Sequence, residues 1–305
     1  MWQVGDGPPS WAYGTKASGP APHEEGAHDS GPKHIPGSLL AFTPAQIQDH
    51  FGPADWFPGD HPPMPAVVAQ GRKPQVWACA LCHYPNGKGK PENASVAGFP
   101  VSYFVEQMHE FRAGERKSAD PGKKNTALMS SIAKAMTDEE ISEAANYFGS
   151  MKWTPWIKVV ETESVPKVYS SVGMYMPLPG NEKEPIGQRI IETPQDPEGT
   201  EMLRNPRSGF VAYVPVGSIE KGKNLVSTGG GKTVACSICH GAELQGMGPV
   251  PGLAGRSPSY LVRQLYDMQQ GTRNGQWTEL MKPVVSKLSQ EDMLDIAAYT
   301  ASCRP

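Results

Sequence analysis

Four of the five cysteines stand in two copies of one short motif. The chain reads CALCH from Cys79 to His83 and CSICH from Cys236 to His240. CxxCH is the attachment signature of c-type haem. On a helix, positions i, i+3 and i+4 share one face, so two cysteines can bond the porphyrin edge while the histidine reaches the iron. The motifs predict two covalently bound haem c groups. Their thioether residues are Cys79, Cys82, Cys236 and Cys239.

Two other kinds of site use CxxC pairs. Two pairs can form a four-thiolate zinc site, and one pair can act as a redox dithiol. A zinc site leaves the histidine after each pair without a role. A redox dithiol predicts one motif, whereas this chain has two. The spacing therefore favours haem.

The resemblance between the two halves extends well beyond the motifs. A shift of 157 positions superimposes the two CxxCH sequences and also matches other residues without a gap. After Arg116 and Arg273 the shift becomes 152. The matched pairs are Gly98 and Gly255, Tyr103 and Tyr260, Gln107 and Gln264, Arg116 and Arg273, Met129 and Met281, and Tyr147 and Tyr299. The chain therefore contains an internal duplication of a haem-binding unit.

The elements that position the motifs are predicted to be helices. The segments VSYFVEQMHEFRAGER and PSYLVRQLYDMQQGTR each read as a helix with a glycine just past its end. Thr137 and Ser289 are predicted N-caps, each with an acidic residue three positions later. The last helix of each unit should therefore begin at matched positions.

A methionine in the same place in both units bears on function. A haem iron bound by one histidine has a second axial position, and a thioether there raises the reduction potential and leaves no place for a substrate. Met129 matches Met281, whereas Met136 matches Leu288, an ordinary core position. We therefore predict Met129 as a ligand and Met136 as core, and keep His109 as the rival ligand.

The doubled pattern resembles a known family. CxxCH, a helix ending near GxR, and a methionine before a capped helix, present twice, resemble the tandem dihaem class I cytochromes c, specifically the periplasmic c-four type. The closer unit contains GPVPGLAGRSPSYLVRQLYDMQQGTR and LMKPVVSKLSQEDMLDIAAYTAS. The resemblance implies a mainly α fold, with two small haem domains in tandem. It also implies the metal ligands His83 with Met129 and His240 with Met281.

One feature of that family is only half present. A proline soon after the motif offers its carbonyl to the imidazole N–H of the histidine. Pro249 or Pro251 can do this in the second unit, but the aligned positions of the first carry no proline. We expect a carbonyl near Pro85 or Pro91 to substitute there.

The chain divides into four predicted segments. A Pro/Gly-rich arm covers residues 1–64, the first cytochrome domain 65–151, a connector 152–215 and the second domain 216–305. Aromatic side chains at Trp2, Trp11, Trp56 and Phe57 predict that the arm packs onto a domain. Its histidines, which lack ligand spacing, are expected to be solvated: His23, His28, His34, His50 and His61. Two connector runs, KWTPWIKVVETESVPKVY and GFVAYVPVG, predict edge strands.

Composition excludes other functions. The formal net charge is -3 and no basic cluster recurs, so nucleic acid is not an expected partner. No apolar stretch is long enough to span a membrane, and the mean hydropathy is -0.45. The opening residues lack a secretory signal. Because the family attaches its haem outside the cytoplasm, we expect a mature periplasmic chain without its signal peptide.

The family implies a soluble electron carrier rather than an enzyme. Such a carrier takes single electrons from a periplasmic dehydrogenase and passes them to an oxidase or another cytochrome. The alternative is a dihaem enzyme, peroxidase-like or thiosulfate-oxidising, in which one iron is open or lacks a methionine ligand.

Overall fold

Helices dominate the computed structural model, which describes residues 7–22 and 30–305. Trp2, His23 and His28 lie outside the described residues. The helices up to the connector are α1 (Ser10–Tyr13), α2 (Pro44–Ile47), α3 (Ala66–Ala69), α4 (Cys79–His83), α5 (Val101–Ala113), α6 (Lys124–Ala135) and α7 (Asp138–Gly149). Those that follow are α8 (Pro197–Glu201), α9 (Ser218–Thr228), α10 (Ser237–His240), α11 (Pro258–Gln269), α12 (Thr278–Val285) and α13 (Gln290–Ser302).

Strands occur in the connector. They are β1 (Ile157–Glu161), β2 (Ser164–Pro166), β3 (Val168–Ser171), β4 (Met174–Pro177), β5 (Lys183–Pro185), β6 (Ile191–Pro194) and β7 (Phe210–Val214). β7 is the central strand of a three-stranded sheet, parallel to β1 and antiparallel to β6. β2 pairs with β5 and β3 pairs with β4, both antiparallel.

The prediction of edge strands is right for β1 and wrong for β7. Pro206 and Pro215 flank β7 rather than interrupt it, so the strand keeps every backbone donor that two neighbours require. Phe210, Ala212 and Val214 are buried at alternate positions, as expected for a strand with one face against a core.

The predicted caps are present in both units. The Thr137 hydroxyl accepts from the Glu140 backbone N–H at 3.2 Å, and a Glu140 carboxylate oxygen accepts from the Thr137 N–H at 2.8 Å. Ser289 and Asp292 form the same reciprocal pair at the start of α13. Each box satisfies two backbone donors that a helix start leaves unpaired, so α7 and α13 begin at matched positions.

The middle helices also end as predicted. Gly114 follows α5 with φ 76°, and Gly271 stands two residues after α11 with φ 71°. This left-handed conformation favours glycine, which has no Cβ to clash. The chain therefore turns at equivalent points after the two helices.

The arm packs onto the remainder of the chain, as its aromatic residues predict. Trp11, Trp56 and Phe57 are buried. The Trp56 indole N–H donates to the Leu203 carbonyl of the connector at 2.7 Å. The His50 carbonyl accepts from the Ala78 N–H at 2.9 Å, beside the first CxxCH motif. The arm thus covers part of the first unit.

Within the described ranges, every helix is too short or too polar to cross a lipid bilayer.

Candidate functional site

The two CxxCH motifs form equivalent helical turns, α4 and α10, and their histidines are oriented in the same way. His83 Nδ1 lies 2.8 Å from the Ala94 carbonyl oxygen, and His240 Nδ1 lies 2.8 Å from that of Pro251. When Nδ1–H donates to this carbonyl, the Nε2 lone pair is free for a metal. Both histidines are therefore held in the tautomer that a ligand needs.

The expected substitute is a backbone carbonyl, and it belongs to Ala94, three residues after Pro91. Ala94 occupies the position that aligns with Pro251, and its own backbone carbonyl is the acceptor. The loop is shaped in the same way in both units, because Gly89 N–H donates to the His83 carbonyl at 2.9 Å and Gly246 N–H to that of His240 at 2.8 Å. Any residue can supply a backbone carbonyl if the loop places it beside the histidine, and the loop places Ala94 as it places Pro251.

Burial keeps both imidazoles neutral. Desolvation lowers the pKa of His83, and the hydrogen bond to Ala94 offsets part of this effect. Desolvation likewise lowers the pKa of His240, offset in part by the bond to Pro251. The neutral imidazole is the form that ligates a metal.

The first unit encloses a cavity with about 1040 Å³ of empty space, part of it open to solvent. Cys82 and His83 line it, and so does Met129 of α6. The Cys79 sulfur lies 3.5 Å from the Val67 carbonyl oxygen, at the edge of the same turn. The remaining lining is largely apolar and includes Phe104 and Ile132.

The second unit encloses a cavity with about 1490 Å³ of empty space. Cys236, Cys239 and His240 line it, and Met281 of α12 does so too. Part of this space is also open to solvent, and the wall around it is mostly apolar. Each unit therefore has a large apolar space at its centre, with one CxxCH motif and one methionine in its wall.

This arrangement fits haem and does not fit the zinc alternative. The motif cysteines are not joined to each other by disulfide bonds. Cys82 lines the first cavity, whereas Cys236 and Cys239 line the second, so four thiolates do not meet at one point. In the described part of the chain, no group of three or more His, Cys, Asp or Glu side chains is placed to hold a metal ion. Of the described arm histidines, His34 and His50 are exposed as expected, but the expectation is wrong for His61, whose side chain is 4% exposed because its Nε2 lies 3.2 Å from an Asp55 carboxylate oxygen.

The structure also places the rival ligand His109 and four other methionines. The His109 side chain is 45% exposed, is absent from the lining of both cavities, and has Nε2 3.6 Å from an Asp138 carboxylate oxygen. Met136 is buried in the core of the first unit, as predicted. Met174 and Met176 are buried in a separate cluster of the connector. Met108 lines the first cavity, but its match in the second unit is Leu265.

The two cavities share one wall. It contains side chains of α5 and α11 and of a residue two positions before α5: Phe99, Tyr103, Gln107, Tyr260 and Gln264. Arg116 lines the first cavity and Arg273 the second. Sequence comparison identified most of these residues as markers of the duplication and missed that they stand between the sites. The sequence did contain a signal, namely polar residues matched in both copies, because polar side chains are uncommon in a purely apolar core.

Comparisons with known proteins agree with this geometry. The family model described as "Cytochrome c" matches residues 68–152. Cytochrome c-554(548) of Halomonas halodenitrificans is 40% identical over 77 residues, which are 25% of this chain and 93% of that protein. The thiosulfate dehydrogenase electron acceptor of Stutzerimonas stutzeri (strain A1501) is 25% identical, over 78% of this chain and 88% of its own. Cytochrome c4 of Azotobacter vinelandii is 24% identical, over 77% and 87%.

Proposed function

The chain belongs to the cytochrome c family, as a two-haem member of the cytochrome c4 type, and we propose that a thiosulfate dehydrogenase is its electron donor. The chain carries electrons through two covalently bound haem c groups. The proposed donor rests on relatives named as thiosulfate dehydrogenase electron acceptors, which align with about three quarters of this chain. The acceptor we propose is a respiratory oxidase or another cytochrome.

The metal ligands proposed for the first site are His83 and Met129, and those for the second are His240 and Met281. The motif cysteines would hold each porphyrin through thioether bonds. Bound haem supplies a one-electron change at its iron. The observation that carries the proposal is that each cavity has a CxxCH histidine and a methionine in its lining.

If the chain supplies both ligands of each iron, the protein is an electron carrier rather than an enzyme. With both a histidine and a methionine bound to it, the iron would have no position left for a substrate, and the thioether would raise its reduction potential. We therefore propose that the dehydrogenase oxidises thiosulfate and that this chain accepts the electrons one at a time.

The shared wall supports transfer between the two sites. Tyr103 and Tyr260 belong to opposite units, yet each lines both cavities. An electron that reaches one site is therefore separated from the other by a single layer of side chains. This supports a relay with two adjacent centres.

We keep the four-part division of the chain as a proposal, with haem domains at 65–151 and 216–305. We also propose that the protein works in the periplasm, since haem c attachment is expected outside the cytoplasm.

The test uses the purified haem-loaded protein in its oxidised form. Thiosulfate alone should leave it oxidised, whereas thiosulfate with a thiosulfate dehydrogenase should reduce both haems. Both irons should be low-spin, with the charge-transfer absorption of an iron–thioether bond. Reduction by thiosulfate alone, or a high-spin haem that binds cyanide quickly, would support the dihaem enzyme instead.

A further inference from the structure

Lys123 places a positive charge inside the protein. The residue is 5% exposed, and its Nζ is enclosed by the surrounding atoms. Within residues 7–22 and 30–305, this nitrogen has no hydrogen-bond partner. A buried charge is costly unless an opposite charge or hydrogen bonds compensate it. Lys123 therefore requires a partner that the described part of the polypeptide does not supply.

The ammonium group lies at the edge of the first cavity, under the connector. Lys123 is part of the lining of that cavity. A Cβ on Gly173 would lie 2.9 Å from Lys123 Nζ. The backbone of the turn between β3 and β4 therefore packs directly against the charge. The connector thus shields Lys123 from solvent beside the cofactor site.

Two other charged residues of the same wall, Glu92 and Arg263, already have partners. Lys90 Nζ lies 2.9 Å from a Glu92 carboxylate oxygen. The Arg263 guanidinium donates to two backbone carbonyl oxygens, each at 2.6 Å. Among the described residues, Glu92 forms an ion pair with Lys90 and not with Lys123. The nearby acid therefore does not compensate the buried ammonium group.

Burial also affects the protonation of Lys123. Desolvation, with a smaller contribution from Arg263, lowers the pKa of its ammonium group to about 7, and Glu92 and Asp120 oppose the shift. At neutral pH such a group is charged in only about half of the molecules. An anion beside it favours the charged form. The full charge of Lys123 therefore depends on an anion in the cavity.

The second unit has no equivalent of Lys123. Between the matched arginine and the matched methionine the first unit is five residues longer, and Lys123 stands in this longer stretch. The second unit reads NGQWTEL between Arg273 and Met281, without a basic residue. Its cavity has a different cation, Arg256, whose guanidinium donates to three backbone carbonyl oxygens. The two sites therefore differ in one uncompensated buried cation.

Haem carries two carboxylates on its edge, and an ammonium group in the cavity wall forms a charge-assisted hydrogen bond with such a group. Building on the proposed carrier function, we infer that Lys123 binds a carboxylate of the first haem and raises the reduction potential of that haem. A cation stabilises the reduced form, because reduction adds one electron and removes one positive charge at the iron. Lys123 stays protonated in both redox states, and the second haem lacks its contribution.

Spectroelectrochemical titration of the haem-loaded protein tests this inference, since it measures the midpoint potentials of both haems. The variants are Lys123→Met, which removes the charge, and Lys123→Arg, which keeps it. Lys124→Met is the matched control, because Lys124 is the next residue and is exposed. Each is also made with Met281→Ala, which should mark the second haem by a high-spin spectrum and so identify the first.

Lys123→Met should lower the ratio of reduced to oxidised first haem about ten-fold at a fixed applied potential. A ten-fold change is about 59 mV for a one-electron couple. The second haem should keep its potential, and Lys123→Arg and Lys124→Met should stay close to the wild type, since water screens an exposed charge. An unchanged first haem in Lys123→Met, or an equal fall in Lys124→Met, would overturn the inference.

The dependence on pH distinguishes a paired ammonium group from a free one. Paired with a carboxylate, Lys123 should stay charged between about pH 6 and 8, so the difference in potential between the wild type and Lys123→Met should be constant. If that difference instead disappears as pH rises through about 7, Lys123 loses its proton there, and the pairing is refuted.

The potentials also separate this inference from the proposed function. They are measured with an electrode, so a thiosulfate dehydrogenase that fails to reduce the wild type contradicts the proposed donor and leaves the role of Lys123 standing. If Met281→Ala leaves both haems low-spin, the proposed ligand is wrong, while a fall of one of the two potentials in Lys123→Met still supports the inference.

Discussion

Arg116 and Arg273 form an antiparallel bridge between the two haem-binding units, and each side chain reaches into the opposite one. Arg116 Nη2 donates to the Tyr260 hydroxyl at 2.9 Å, and Arg273 Nη2 donates to that of Tyr103 at 3.0 Å. Gln107 accepts from both guanidinium groups at 2.8 Å. Equivalent contacts run from each unit to the other, so the two copies form an interface with approximate two-fold symmetry.

Arg116→Met should destabilise the interface between the two units. The substitution keeps an apolar stem but leaves the Tyr260 hydroxyl without its charged donor and Gln107 with one guanidinium donor instead of two, which costs about 1.5–3 kcal/mol of unfolding free energy. Denaturant unfolding of the haem-loaded protein measures the change. Arg72→Met is the control, because Arg72 pairs with Glu140 in an exposed position and should matter little. Equal unfolding midpoints for the two variants would show that the interface between the units does not contribute to stability.

Three methionine variants test the proposed ligands. Met129→Ala and Met281→Ala should each convert one haem to a high-spin, cyanide-binding form and abolish half of the iron–thioether absorption. Met136→Ala should leave the absorption intact, because Met136 is buried in the core; as a large-to-small change it should lower stability by about 2–5 kcal/mol. Loss of the thioether absorption in Met136→Ala, or its full retention in Met129→Ala, would contradict the assignment.

Haem is expected to be needed for the fold. Cys79→Ala combined with Cys82→Ala removes both attachment points of the first site, where a cavity of about 1040 Å³ would stay unfilled. A unit of this size has a marginal apolar core without its cofactor. Far-UV circular dichroism should show a clear loss of helix. Cys303→Ala is the control, since Cys303 lies outside both motifs. Native-like helix content in the double variant would refute the requirement.

Asp295 should make stability depend on pH. Burial raises the pKa of its carboxyl to about 6, with hydrogen bonding to Ser218 and the nearby Lys221 opposing the shift. Between about pH 4 and 6 the folded chain therefore binds more protons than the unfolded chain, so the contribution of Asp295 to the unfolding free energy falls as pH rises.

Asp295→Asn should remove this fall and make the protein at least as stable as the wild type above pH 6. Unfolding midpoints of both proteins, measured from pH 4 to 8, test this expectation. Glu279→Gln, exposed on α12 and paired with Lys282, should keep the wild-type slope. A slope that is the same in Asp295→Asn and the wild type would exclude Asp295 as its source.

Gly222→Ala should disrupt the contact between α9 and α13. A Cβ on Gly222 would collide with the Asp295 carbonyl oxygen and approach Tyr299 Cβ to 2.8 Å. Overpacking of this kind costs about 1–3 kcal/mol, measurable by thermal or denaturant unfolding. Gly59→Ala is the control, because a Cβ there meets nothing within 4 Å. A similar stability of the two variants would mean that the helices move apart without cost.

The sequence by itself determined the chemistry and the repeated helical unit. Haem attachment needs cysteines and a histidine on one helical turn, so CxxCH is readable without coordinates. Thr137 and Ser289 were predictable as caps because capping depends on residues within one turn. The second copy then separated Met129 from Met136, since a duplicated site repeats its ligands but not every core residue.

Only the tertiary structure decided how the two sites relate. Arg116 contacts Tyr260, 144 positions away, and no local pattern encodes such a pair. The central place of β7 depends on which strands become its neighbours, and the Ala94 acceptor depends on the path of a loop. The His50 ring of the arm stacks on Trp77 beside the first motif, and the matched residues Leu81 and Ile238 differ in exposure, 4% against 64%. Packing between segments distant in sequence therefore turned two similar haem units into two unequal ones.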